Sequence, residues 1–420
     1  MKFCKYLLCF FIIVFIIFQN LNVFADDIET ENIDDISSFL QTSSNFSEEP
    51  LINSRSAIVF DRNSKQVLFG KNENEKRKMA STTKIMTAII VIENAKLDDI
   101  VKVSAKAAST GGSRLGLHTN DKISVLNLLY GLLLCSGNDA AVALAEHVGG
   151  SLPDFASLMN KKCNELGLSS TNFVTPHGLD NEEHYTTAYE LALITDYALK
   201  NDTFRNIVGT KNYTVTINGY SKNLSNTNEL LGALDGVYGV KTGFTNGANR
   251  CLVTSVKRGD LDIICIVLGA DTKKDRTKDS IELINYVFNN FEIVNIKEKI
   301  FNEFNNWKIY NSSNFVVAKG VSNNVDLVLD DLKFDYLPVN RNDIDSLSIY
   351  IYCDYNFQAP LKANSIIGYI SVSLQNETIL TINIRNSNTI GQKKFGSYML
   401  ELTKNYTHYL ENLFSCIDKF

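Results

Sequence analysis

Strand-like segments bracket a long helical stretch, and this bracketing restricts the fold more than any other feature of the sequence. Residues 56–61 and 65–70 alternate in strand fashion around an Arg-Asn-Ser turn, a hairpin pattern. Residues 237–245, 251–257 and 262–268 read as three further strands, the last two joined by Arg258-Gly259-Asp260. Between the two groups the hydrophobic period is helical, over residues 81–94, 126–134, 140–148, 155–166 and 188–199. Residues 275–291 close the region as a helix. The expected fold is α/β: one antiparallel sheet covered by helices, with an inserted helical lobe.

From about residue 293 the pattern changes. Residues 315–318, 326–329, 347–352, 365–374 and 377–384 are short strand candidates, which predicts a small all-β domain. It holds no cluster of acids, His or Cys that suggests chemistry, so a spacer or packing role is expected. In residues 389–420, Phe395, Met399, Leu402, Tyr406, Tyr409, Leu413, Ile417 and Phe420 recur at intervals of three and four. That spacing predicts an amphipathic C-terminal helix. A helix on a membrane surface, one docked on the β-domain and one in a coiled coil all fit it.

The N-terminus reads as an export signal. Lys2 and Lys5 precede an apolar run of 13 residues, Tyr6 to Phe18, and Val23-Phe24-Ala25 resembles a cleavage site. The run is shorter than the ~17–25 residues of a spanning helix, which favours cleavage over an uncleaved anchor. Residues 26–50 carry eight acids and no base, which accounts for the net charge of −6. They are expected to form a flexible acidic leader. The expected domains are then 51–292, 293–388 and the helix 389–420. Hydrophobic residues at 45% and charged residues at 21% fit a soluble globular chain and exclude a disordered or multi-span one. The negative charge argues against a nucleic-acid partner. No Cys or His pair has zinc-finger spacing, and no metal or cofactor is expected. The cysteines beyond the signal, Cys135, Cys163, Cys251, Cys265, Cys353 and Cys416, read mostly as small buried hydrophobes. A bridge between Cys251 and Cys265, on neighbouring predicted strands, is conceivable.

Three short motifs follow in order: Ser81-Thr82-Thr83-Lys84, Ser136-Gly137-Asn138 and Lys241-Thr242-Gly243. Each alone has a bland reading, as a helix cap, a helix-linking turn and a strand end. Together in an exported chain they form the SxxK, SxN and KTG set of penicillin-recognising serine enzymes. Ser81 and Lys84, three apart on a helix, share a face. A serine hydroxyl needs a base to take its proton, and a lysine serves only when its pKa is depressed. Burial and a second cation, here Lys241, do this. The backbone N–H groups of Ser81 and Phe244 are expected to form an oxyanion hole, each donor worth ~3–4 kcal/mol. Ser136 can relay a proton to the leaving amine and Asn138 can hold the substrate amide. The strand from Lys241 to Thr245 can pair with an extended peptide, with Thr242 and Thr245 offering hydroxyls.

The chain resembles a low-molecular-mass penicillin-binding protein, of the serine-type D-alanyl-D-alanine carboxypeptidase family. Lys78-Met79-Ala80 before Ser81, Ser136-Gly137-Asn138-Asp139-Ala140-Ala141, Thr175-Pro176-His177-Gly178-Leu179-Asp180 and Thr186-Thr187-Ala188 carry the resemblance, over roughly residues 51–292. It implies that Ser81 is acylated, that Lys84 is the base, and that Ser136 with Lys241 relays the proton. It places Arg276 at the substrate's terminal carboxylate, where a bidentate contact would suit an exopeptidase. Gly243 and Phe244 would contact substrate. The implied partners are peptidoglycan stem peptides as substrate and β-lactams as inhibitors, outside the bacterial cytoplasmic membrane. Two departures stand out: Phe244 follows KTG where several relatives carry His, and the C-terminal helix lacks a strongly basic face. His177 and His184 lie at no metal-pair spacing and read as loop-ordering residues. Three other functions compete: a D,D-endopeptidase, a β-lactamase and a catalytically idle wall-binding protein. No Glu-x-x-Leu-Asn string lies between the second and third motifs, which disfavours a class A β-lactamase. Intact motifs argue against idleness.

Overall fold

The computed structural model describes residues 49–417. The expected signal and nearly all of the acidic leader lie outside the described residues. The chain divides after Phe291 into two compact units.

In the first unit, β1 (Ser56–Asp61) and β2 (Val67–Lys71) form the expected hairpin. Its turn is fixed by Asp61, whose carboxylate accepts the backbone N–H and the hydroxyl of Ser64, both at 2.6 Å. Strands β3 (Val237–Thr245), β4 (Asn249–Arg258) and β5 (Leu261–Ala270) complete one antiparallel sheet in the order β2-β1-β5-β4-β3. The first strand thus pairs with the last, and β3 lies at an edge. Nine of the ten β5 residues are buried, so this central strand is covered on both faces.

Besides a short helix at Ala105–Ser109, the helices are α1 (Lys84–Asn94), α2 (Val125–Leu133), α3 (Asn138–Gly149), α4 (Leu152–Glu165), α5 (Ala188–Leu199), α6 (Asp202–Val208) and α7 (Lys273–Asn290). The side chains of Ser124, Ser151, Thr187, Asn201 and Thr272 each accept a first-turn N–H, which fixes where α2, α4, α5, α6 and α7 begin. α1 is buried without a break from Lys84 to Val91, so it runs through the core and not over its surface. Helix α6 and the hairpin Asn212–Ile217/Tyr220–Ser225 were not foreseen. The hairpin had a readable signal in Asn218-Gly219, both at positive φ (51° and 85°).

The second unit contains a four-stranded sheet of β6 (Leu327–Leu329), β7 (Ser348–Cys353), β8 (Ile366–Leu374) and β9 (Glu377–Asn386), in the order β6-β9-β8-β7. It is not purely β. A 16-residue helix, α8 (Ile296–Asn311), buries Ile296, Ile300 and Phe304, spaced by four and capped by Asn295. The expected C-terminal helix is α9 (Phe395–Ile417), with Phe395, Met399, Leu402, Tyr406 and Tyr409 exposed. Among the described residues no helix is long and apolar enough to cross a membrane. Cys135, Cys163, Cys251, Cys265 and Cys353 are unbridged. Cys251 lies opposite Gly243, and Cys265 lies between Thr254 and Val59, so the conceivable bridge is out of register.

Candidate active site

The serine of the first motif does not cap α1. Ser81 lies in a 3-10 turn, Ala80–Thr83, that feeds the helix. Ala80 before it is held at φ 49°, a strained conformation for a residue with a Cβ. Surrounding groups enforce it. The Thr83 hydroxyl donates to the Ala80 carbonyl at 2.8 Å and lies 2.8 Å from His184 Nε2. Gly178, at φ 88°, packs so closely that a Cβ there would come within 1.9 Å of the same carbonyl. From the other side Gly243 brings β3 against the turn: a Cβ there would lie 3.0 Å from the Ser81 nitrogen.

Lys84 points back along α1 to Ser81, with Nζ 2.6 Å from Oγ. Its Nζ also lies 2.7 Å from Asn138 Oδ1, 3.0 Å from the His177 carbonyl and 3.3 Å from Ser136 Oγ. The side chain is 0% exposed. Ser136 stands at φ 59° on the turn between α2 and α3. Asn138, the first residue of α3, spans from Lys84 to the Gly111 carbonyl, to which its Nδ2 donates at 2.9 Å. The neighbouring Asp139, part of the second motif's stretch but given no role from sequence, is buried and accepts the N–H groups of Leu115, Gly116 and Leu117 at 2.7–2.9 Å. It thereby fixes the loop that forms one wall of the site.

β3 forms the opposite wall. Lys241 is buried, with Nζ donating to the Thr242 carbonyl at 3.0 Å. The Thr242 hydroxyl pairs with that of Thr227 at 2.7 Å. The Phe244 ring lies under the Arg250 guanidinium, 4.6 Å from its centroid. The cleft between the walls has a volume of about 380 Å³ and is lined by Ser81, Ser113, Arg114, Ser136, Thr227, Thr242, Gly243, Phe244 and Lys273. Ser113, Arg114, Thr227 and Lys273 carry no motif, and folding alone brings them to the cleft.

Five expected site residues do not line it: Lys84, Asn138 and Lys241 are buried, the first two bonded as described, and Thr245 and Arg276 are engaged elsewhere. Thr245 alternates to the other face of β3 from Thr242. Its buried hydroxyl donates to Asp180 at 2.8 Å and accepts the Ala248 N–H, tying the Thr175–Asp180 loop to the strand. Arg276 is 0% exposed and its guanidinium donates to Glu229. The two histidines order the loop. Burial, then the charges of Lys84 and His184, push His177 down to about 3. Burial pushes His184 down to about 4 against the opposing pull of Asp180.

Residues 43–272 match the D-alanyl-D-alanine carboxypeptidase family of peptidases, S11, and residues 304–392 match the penicillin-binding protein 5 C-terminal domain. The chain is 39% identical over 244 residues to the D-alanyl-D-alanine carboxypeptidase DacF of Bacillus subtilis, a match spanning 57% of this chain and 63% of that one. It is 31% identical over 355 residues to DacA of Haemophilus influenzae, across 82% of this chain and 86% of the relative. Penicillin binding protein 5 from Haemophilus influenzae superposes with a TM-score of 0.66 at 28% identity, over 82% of this chain and 99% of that structure. With a serine–lysine pair buried between a helical lobe and an edge strand, the chain belongs to the serine-type D-alanyl-D-alanine carboxypeptidases of family S11, which are hydrolases of the penicillin-binding-protein fold.

Proposed function

We propose that this protein removes the terminal D-alanine of peptidoglycan stem pentapeptides through an acyl-enzyme on Ser81, outside the cytoplasmic membrane. The observation that carries the reading is the 2.6 Å approach of the fully buried Lys84 Nζ to Ser81 Oγ. A general base must be neutral to accept a proton, and burial favours the neutral form of an amine. Ser81 Oγ attacks the carbonyl carbon of the penultimate D-alanine while its proton passes to Lys84. The oxyanion takes hydrogen bonds from the N–H groups of Ser81 and Phe244. The C–N bond then breaks, and the leaving amine receives a proton through Ser136, with Lys241 beside it. Water hydrolyses the acyl-enzyme by the reverse use of the same groups. Asn138 holds Lys84 and the substrate amide. The outer edge of β3 pairs with the extended peptide, with Thr242 contributing its hydroxyl. β-Lactams inhibit by forming a slowly hydrolysed ester on Ser81. Residues 1–25 direct export, and the apolar stripe of residues 395–420 rests on the membrane surface.

The test is D-alanine release from a stem pentapeptide by the mature protein, beside Ser81→Ala. Release that disappears in the variant supports the reading. No release by wild type overturns it, and the cross-linked dimer and penicillin then separate endopeptidase, β-lactamase and idle protein.

A further inference from the structure

Arg114 lines the cleft on the wall opposite β3 and takes no part in the chemistry above. None of the described residues lining the cleft is acidic. The segment that follows Arg114 is clamped from both sides. The buried Asp139 takes the N–H groups of Leu115, Gly116 and Leu117. Lys222, on the hairpin strand Tyr220–Ser225, donates to the Leu115 carbonyl. The guanidinium is itself held through Nη2, by the carbonyl of Ala108 and, at 3.4 Å, that of Leu117. Carbonyls orient the group without neutralising it. Among the described residues no hydrogen bond engages its Nη1. Asp139 does not need Arg114 as a counter-ion. Its carboxylate already accepts four N–H groups, the fourth from Ala140 at 2.9 Å, and Arg114 Nε stands 3.9 Å off, beyond hydrogen-bond distance. The Arg114 side chain is 41% exposed, so its charge is open to a ligand in the cleft.

We propose that Arg114 is a specificity residue: it reads a carboxylate at the end of the side chain that precedes the D-alanyl-D-alanine pair. The proposal rests on the carboxypeptidase reading above and adds the class of stem peptide preferred, one whose third residue is acidic. A peptide paired with β3 lies along one wall, and a long side chain leaving it crosses to the wall that carries Arg114. A planar guanidinium matches a carboxylate in shape as well as charge. The clamp orders loop and guanidinium before substrate arrives, which lowers the entropy cost of the contact. A cleft without acidic lining also concentrates anionic substrates, and a side chain ending in an amine is repelled. Recognition is sensitive to ionic strength because Arg114 is only partly buried.

The experiment compares two forms of Nα-acetyl-L-2-aminopimelyl-D-alanyl-D-alanine, with the side chain ending in a free carboxylate or in a carboxamide. They are nearly isosteric and differ by one charge. The readout is the ratio of their kcat/KM values, acid over amide. The ratio is internal to each preparation, so loss of folded enzyme leaves it unchanged. In wild type it is about tenfold at low salt, the worth of one charged hydrogen bond, expressed mainly in KM, and it narrows as salt rises. In Arg114→Gln it falls to about one, and in Arg114→Lys, a point charge without the fork, to about threefold. A wild-type ratio near one overturns the proposal. So does a tenfold ratio that persists in Arg114→Gln. If wild type releases D-alanine from neither peptide, the carboxypeptidase reading itself fails and takes this inference with it.

Discussion

Acid should loosen the turn that carries Ser81, because two neutral histidines hold it. His184 Nδ1 accepts the Val174 N–H at 3.0 Å, which leaves the proton on Nε2, facing the Thr83 hydroxyl. That hydroxyl in turn donates to the strained Ala80. His177 Nδ1 accepts the Leu179 N–H at 3.2 Å. Protonating either Nδ1 sets a donor against a donor. In the fold the two rings titrate near 3 and near 4, against 6.5 in the unfolded chain. Between those values the unfolded state binds more protons, so stability is lost as pH falls below 6.5. Going from pH 7 to pH 5 costs about 2 kcal/mol per ring, about 4 kcal/mol together, or roughly 500-fold in the opening equilibrium. The Glu229 carboxyl, held low by Arg276, Thr277 and Lys273 against the upward push of burial, titrates below this window. The one tryptophan, Trp307, lies in the second unit, so its fluorescence is the wrong probe. Hydrogen exchange at the Val174 and Leu179 amides, corrected for intrinsic rate at each pH, reads the opening directly. A change in protection under about tenfold would refute the reasoning, as would an equal change in a His177→Gln, His184→Gln variant.

Three further outcomes are expected. Gly178→Ala meets the Ala80 carbonyl at 1.9 Å from a backbone at φ 88°. Thermal unfolding should show a loss of about 3 kcal/mol or more, and labelling by a fluorescent penicillin should fall with it. Lys84→Met should slow that labelling by about 10²–10⁴, with a circular dichroism spectrum matching wild type. The mature protein should co-sediment with lipid vesicles, and Met399→Asp with Leu402→Asp on the exposed stripe of α9 should abolish this while D-alanine release persists.

Much of the site was legible because its chemistry is coded locally. Ser81 and Lys84 lie on one helical face by spacing alone, and the three motifs name four of the groups that meet. The sheet was legible because strand alternation and the Asp61-to-Ser64 turn are short-range. Helix α8 was missed because its buried positions, Ile296, Ile300 and Phe304, are sparse among polar neighbours. The role of Asp139 went unread because it accepts three N–H groups from a loop about 23 residues earlier, and no local pattern records that.

The sequence by itself determined which residues could do acyl-transfer chemistry, and that strands from both ends of the catalytic unit share one antiparallel sheet. Both follow from properties each segment carries alone: periodicity, capping and side-chain chemistry. Only the tertiary structure decided which of those residues face the cleft. Thr242 and Thr245 are equivalent hydroxyls on one strand, yet one faces the cleft and the other is tied to Asp180. Arg276 and Lys273 are cations three residues apart on one helix, yet one is closed on Glu229 and the other lines the site. A side chain's partner is set by what packing brings within about 3 Å of it, and for these residues those partners come from distant segments of the chain.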